Sequence, residues 1–143
     1  MCIAMEESFV VGSINFIVRG KDLNPDEITK NIILKPSKVR RKGELISKDI
    51  KMKDSYWSYQ INFKGYDELN LAFDELLNTL HTHKSLIGEI SNVNDIYINL
   101  SLRSNLGQLG FDLQPKTIKS LAELNIRFEV HILSYGEVED SSC

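Results

Sequence analysis

The chain has 143 residues, 42% of them hydrophobic, with 17 Lys and Arg against 20 Asp and Glu for a net charge of −3. That length and apolar fraction suit one core, so a single domain over residues 1–143 is expected, with mobile ends at 1–7 and 137–143. The small net charge excludes a global field strong enough to hold nucleic acid or an anionic membrane, and leaves local charge to be read separately.

At the start of the chain, Met1 to Met5 meet Glu6 and Glu7 before an apolar signal core can form. No apolar run approaches the roughly 18 residues of a membrane span, so a cytoplasmic location is expected. Cys2 and Cys143 sit at the two extremities and are expected to be reduced thiols. Period-two alternation then marks a first strand, with Ile14, Phe16 and Val18 on one side and Asn15 and Arg19 on the other. A first helix begins at Asn24-Pro25-Asp26-Glu27, where Asn24 can cap, Pro25 suits the first helical position and Glu27 can complete a capping pair.

Between positions 35 and 53 lie eight cations, Lys35, Lys38, Arg40, Arg41, Lys42, Lys48, Lys51 and Lys53, against two carboxylates, Glu44 and Asp49. This basic pole on an otherwise acidic chain can steer a polyanion or an acidic protein patch, or it can be a solvated loop with a short strand in 43–53. The second alternating strand places Trp57, Tyr59, Ile61 and Phe63 against Ser58, Gln60, Asn62 and Lys64. Tyr56, Trp57 and Tyr59 superficially suit stacking on bases, but Trp57 and Tyr59 share the apolar phase and read as core.

A long helix is expected from about Tyr66 to Ile90, striped by Leu69, Phe73, Leu76, Leu77, Leu80 and Ile87. A third strand sets Ile96, Ile98, Leu100 and Leu102 against Asn99, Ser101 and Arg103. A third helix covers Pro115 to about Leu124 with Ile118, Leu121 and Ala122 inward, and a fourth strand sets Ile126, Phe128, Val130 and Ile132 against Arg127, Glu129 and His131.

Strands of a parallel sheet covered on both faces read as continuous apolar runs, so alternation in all four predicts a mostly antiparallel sheet with one open face. The expected fold is α+β: four to five strands with three helices packed on one face, ferredoxin-like with an added helix and strand. Gly20 to Ile28 and Gly110 to Ile118 share the pattern G-x-D-L-[N/Q]-P-x-x-I. Both read as helix starts, through convergent capping chemistry or through duplication.

Few residues carry a chemical signature. His81 and His83 are two positions apart on a helix, diverge by about 200°, and read as a solvated helix end rather than metal ligands. The pairs Asp67/Glu68 and Asp74/Glu75 read as a solvating surface. The chain lacks G-x-x-x-x-G-K-[S/T], G-x-G-x-x-G, G-x-S-x-G and C-x-x-C. No cofactor or metal is expected, and His131 beside Glu129 is the one place left for acid-base catalysis.

The run Gly20 to Thr29, then Pro36-Ser37, Gly43-Glu44 and Trp57, resembles the bacterial family DUF4279, and the later elements match its layout. One departure is Ile33, where a glycine is expected before the proline-containing turn. The resemblance implies no established enzymatic activity, and for some members a role as immunity proteins encoded beside secreted toxins. On that basis the chain is expected to be a non-enzymatic module that binds a cognate protein toxin and no membrane. The candidate contacts are Arg103, Arg127, Glu129 and His131 on the wet sheet face, or Asp74 on the long helix. The alternative is a nucleic-acid or phosphate-ligand binder using Lys38, Arg40, Arg41 and Lys42.

Overall fold

Alternating apolar residues form strands because only an extended chain puts every second side chain on one face. In the computed structural model, which describes residues 10–106 and 109–137, the four alternating segments are the long strands β1 (Val10–Gly20), β5 (Ser55–Lys64), β6 (Asp95–Leu106) and β7 (Arg127–Glu137). Three short strands lie between the first two: β2 (Lys38–Arg40), β3 (Leu45–Ser47) and β4 (Ile50–Lys51). The main sheet has the order β2-β5-β1-β6-β7, and β3-β4 is a separate hairpin. Every pairing in the main sheet is antiparallel except β6 with β7, which are parallel and joined through α4 (Pro115–Leu124).

The other helices are α1 (Pro25–Asn31), α2 (Gly65–Thr82) and α3 (Lys84–Ser91). All four pack on one face of the sheet, burying Ile14, Phe16, Trp57, Ile98 and Leu100 against Ile28, Leu76, Leu80 and Ile87. No helix among the described residues is long and apolar enough to cross a membrane.

Local chemistry explains the junctions. Asn24 Oδ1 accepts the Asp26 amide at 3.1 Å and Pro25 opens α1, as the capping pattern predicts. Gln114 precedes Pro115 in the same way but makes no side-chain cap, so the repeated motif shares its proline and not its cap. Strand β5 runs into α2 without a loop because Gly65 turns the chain at φ 80°, a region that favours glycine, while Glu68 accepts the Lys64 amide at 2.7 Å. Helix α4 ends on Asn125 at φ 55°, the left-handed cap that asparagine tolerates.

Several expectations are corrected. The single helix from Tyr66 to Ile90 is two, giving four helices rather than three, because the chain breaks at His83. His83 Nε2 accepts the Ile33 amide at 3.4 Å, and His81 Nε2 lies 2.6 Å from Ser120 Oγ of α4, so these histidines tie elements together rather than forming a solvated end. Ile118 is 53% exposed and Ala122 is exposed too, while Thr117 takes the inward position on α4 beside Leu121. Ile132 is also exposed, at 54%, with no helix among the described residues reaching over that part of the edge strand. A ferredoxin-like β-α-β-β-α-β order contains two long strands joined directly, whereas here helices separate each consecutive long pair. At Ile33 no glycine is needed, since α1 exits through Ile32 in extended conformation, its amide bonded to Ile28 O. Cys2, Cys143 and the ends expected to be mobile fall outside the described residues, apart from Glu137, which closes β7.

Candidate functional site

The sheet face away from the helices is built by the odd residues of β1, β6 and β7 and the even residues of β5 and β2. Strand register aligns them in rows. One row runs Lys38, Ser58, Ile17, Tyr97, Arg127, crossing all five strands over roughly 19 Å. The next on one side is Arg40, Tyr56, Arg19, Asp95. On the other side follow Gln60, Asn15, Asn99, Glu129, then Asn62, Ser13, Ser101, His131, and finally Lys64, Val11, Arg103, Leu133.

This face is polar, but its side chains are not loose. Arg127 donates to both oxygens of Asp95, at 2.9 and 3.2 Å, and its guanidinium carbon lies 4.4 Å from the Tyr97 ring centroid. Arg19 donates to Asp54 at 3.4 Å and interacts electrostatically with the Tyr97 hydroxyl. Burial pushes the Tyr97 hydroxyl above the ordinary tyrosine range, against the pull of Arg19 toward the phenolate. Desolvation works to lower the Arg19 pKa, but Tyr97 and Asp54 outweigh it and raise it, so Arg19 is a permanent cation. In the middle rows Asn99 donates to Glu129 at 3.0 Å, Gln60 to Asn62 at 2.8 Å and Asn15 to Ser13 at 3.2 Å. These bonds fix donors and acceptors in a flat array of amides and hydroxyls.

The two ends of the face differ. At one end Arg127, Asp95, Tyr97, Arg19 and Asp54 form a charge-paired, aromatic-backed cluster. At the other, Lys64 and Arg103 flank Val11 and border an open groove also lined by Gly12, Asn62, Phe63 and Glu68. Neither Lys64 nor Arg103 has an ion-pair partner among the described residues.

Four residues expected on the wet face, Arg103, Arg127, Glu129 and His131, do share it. Lys38 and Arg40, assigned by sequence to a separate basic patch, lie on this same face because β2 adds to its edge, and Lys38 Nζ sits 6.0 Å from the Tyr56 ring centroid. Arg41 and Lys42 lie beyond the strand, and Arg41 is paired with Asp26 at 2.9 Å. Asp74 is remote from this surface: it belongs to the helical layer, 3.7 Å from Lys116 of α4. His131 Nε2 and Glu129 Oε1 are 3.7 Å apart on the flat sheet, outside the grooves that the described residues line near α2, α3 and α4. Among the described residues no group of His, Cys, Asp and Glu could hold a metal ion.

Sequence reasoning missed Asp95, Tyr97, Arg19 and Asp54 as one cluster. Tyr97 and Asp95 share the polar phase of Asn99, but only the pairing of β6 with both β1 and β7 brings Arg19 and Arg127 to them.

No curated protein and no solved structure matches the chain. A family model described as a domain of unknown function (DUF4279) matches residues 11–135, from the second residue of β1 through most of β7 and thus across the open face. The chain therefore belongs to the DUF4279 family.

Proposed function

We propose that this protein is a non-enzymatic protein-binding module, an immunity protein that docks a cognate toxin on its open sheet face and neutralises it by occluding the toxin's active surface. The observation that carries this reading is the five-strand polar face that no helix among the described residues covers. Its fixed amides and hydroxyls supply hydrogen-bond specificity, and Arg127 over Tyr97 supplies the arginine-aromatic pairing typical of interface anchors. Lys64 and Arg103, without ion-pair partners among the described residues, suit an acidic rim on the partner, whereas Asp95 and Glu129 suit a basic one. The test is co-expression with the products of neighbouring genes. A neighbour that is neutralised, and released by substitutions at Arg127 and Asn15, supports the reading; failure of every neighbour to bind or be neutralised overturns it.

A second reading, nucleic-acid or phosphate-ligand binding, is favoured by the β3-β4 hairpin, whose Lys48 and Lys51 are exposed and have no ion-pair partner among the described residues. It requires retention of RNA or DNA that falls steeply with salt. No retention at low salt eliminates it.

A further inference from the structure

The two edges of the main sheet are unlike. At one edge, β2 is three residues long and carries Lys38 and Arg40, a short charged strand of the kind that discourages pairing with another chain. At the other edge β7 is eleven residues long, has no proline, and keeps an unbroken register with β6 from Arg127 to Ser134. No strand covers its outer side among the described residues. Ile132 and Leu133 are 54% and 52% exposed in the middle of this edge, one on each face of the sheet. A long, regular edge with exposed aliphatic residues is a template for strand addition.

We infer that β7 pairs antiparallel with β7 of a second copy of this chain, joining two five-stranded sheets into one about a two-fold axis at Val130. The register follows from complementarity. A two-fold pairing sets residue i opposite residue j with a constant, even sum, because both must point to the same face. Centring on Glu129 sets two carboxylates against each other, and centring on Phe128 leaves Ile132 uncovered. Centring on Val130 sets Phe128 opposite Ile132, Val130 opposite its own copy, and Glu129 opposite His131, twice by symmetry. The helix-side row is then wholly apolar, and on the open side each Glu129 carboxylate faces an imidazole that can donate to it. Leu133 meets the aliphatic stem of Arg127. This pairing covers both exposed aliphatic residues and opposes no like charges, and unlike centring on Ile132, which sets His131 opposite Leu133, it also pairs Glu129 with His131.

Such an edge contact is smaller than the roughly 1,200–2,000 Å² of a standard interface, so the dimer is expected to dissociate at micromolar concentrations. Sedimentation velocity on the full chain, from about 1 to 300 µM, is expected to show a monomer converting to a dimer. Ile132→Asp, at an exposed position, is expected to remain monomeric throughout with an unchanged melting temperature. Leu71→Asp on α2, at a still more exposed position, is expected to dimerise like the parent. Val130→Cys in a Cys2→Ser/Cys143→Ser background is expected to form a cross-linked dimer on mild oxidation. A parent that is monomeric at every concentration, a dimer indifferent to Ile132→Asp, or failure of the Val130 cross-link overturns the inference.

Discussion

Arg127 reaches across from β7 to grip both oxygens of Asp95 on β6 while its guanidinium lies over the Tyr97 ring. Both charged side chains are about half exposed, so Arg127→Ala is expected to lower stability by less than about 1 kcal/mol in urea unfolding. On the docked partner the same substitution is expected to weaken affinity by about 30-fold or more, as for an arginine anchor. Arg127→Lys keeps the charge but loses the fork and the stacking, and is expected to recover little of that affinity in titration calorimetry.

Trp57 is fully buried and its Nε1 donates to Thr29 Oγ1 at 3.0 Å, pinning α1 to β5. Thr29→Val keeps the shape of the side chain but leaves the indole N–H without its acceptor. A loss of about 1–3 kcal/mol is expected from the urea midpoint, where an ordinary surface substitution changes little.

Gly12 in β1 has no room for a side chain: a Cβ there would stand 1.8 Å from the Ser101 carbonyl oxygen and 3.0 Å from the Phe63 ring. The obstacle is the backbone of the neighbouring central strand, so relief requires the sheet itself to shift. Gly12→Ala is expected to cost at least the upper end of the ~1–3 kcal/mol typical of overpacking, seen as a lowered melting temperature.

Burial raises the Tyr97 hydroxyl above its ordinary range, so the folded chain holds this proton more tightly than the unfolded chain. Below about pH 10 both states are protonated and the contribution to stability is full. As pH rises further the unfolded chain loses the proton first, and stability falls through the higher folded pKa. Tyr97→Phe is expected to flatten this alkaline decline in melts recorded from about pH 9 upward.

The long strands and their inward residues were legible because alternation is a local property of the chain, and Asn24-Pro25 marked its helix by local capping. The break at His83 was not, since no proline or glycine interrupts 81–84 and the Ile33 amide that His83 accepts comes from α1's exit, fifty positions away. Strand β2 was hidden for a similar reason: Lys38-Val39-Arg40 is too short to show a period and is a strand only because β5 lies beside it. Ile132 keeps the correct phase yet is exposed, because phase tells which way a side chain points and not whether another element lies there, whereas on α4 the inward position falls to Thr117 and Ile118 turns outward. The individual polar residues of the open face could be read, but their grouping depends on strand order, which the alternation does not encode.

That strand order also governs when the protein can assemble. Among the long strands β1 precedes the others yet lies at the centre, and its partners come from much later in the chain: Val10 at one end pairs with Ser104 of β6. During synthesis β1 can take only β5 as a neighbour, and its other edge waits until α2, α3 and β6 have emerged. The resulting high contact order is expected to give folding in the slow range for a chain of this size, with the apolar side of β1 and β5 exposed in the interval. Refolding should therefore lose yield to aggregation as concentration rises.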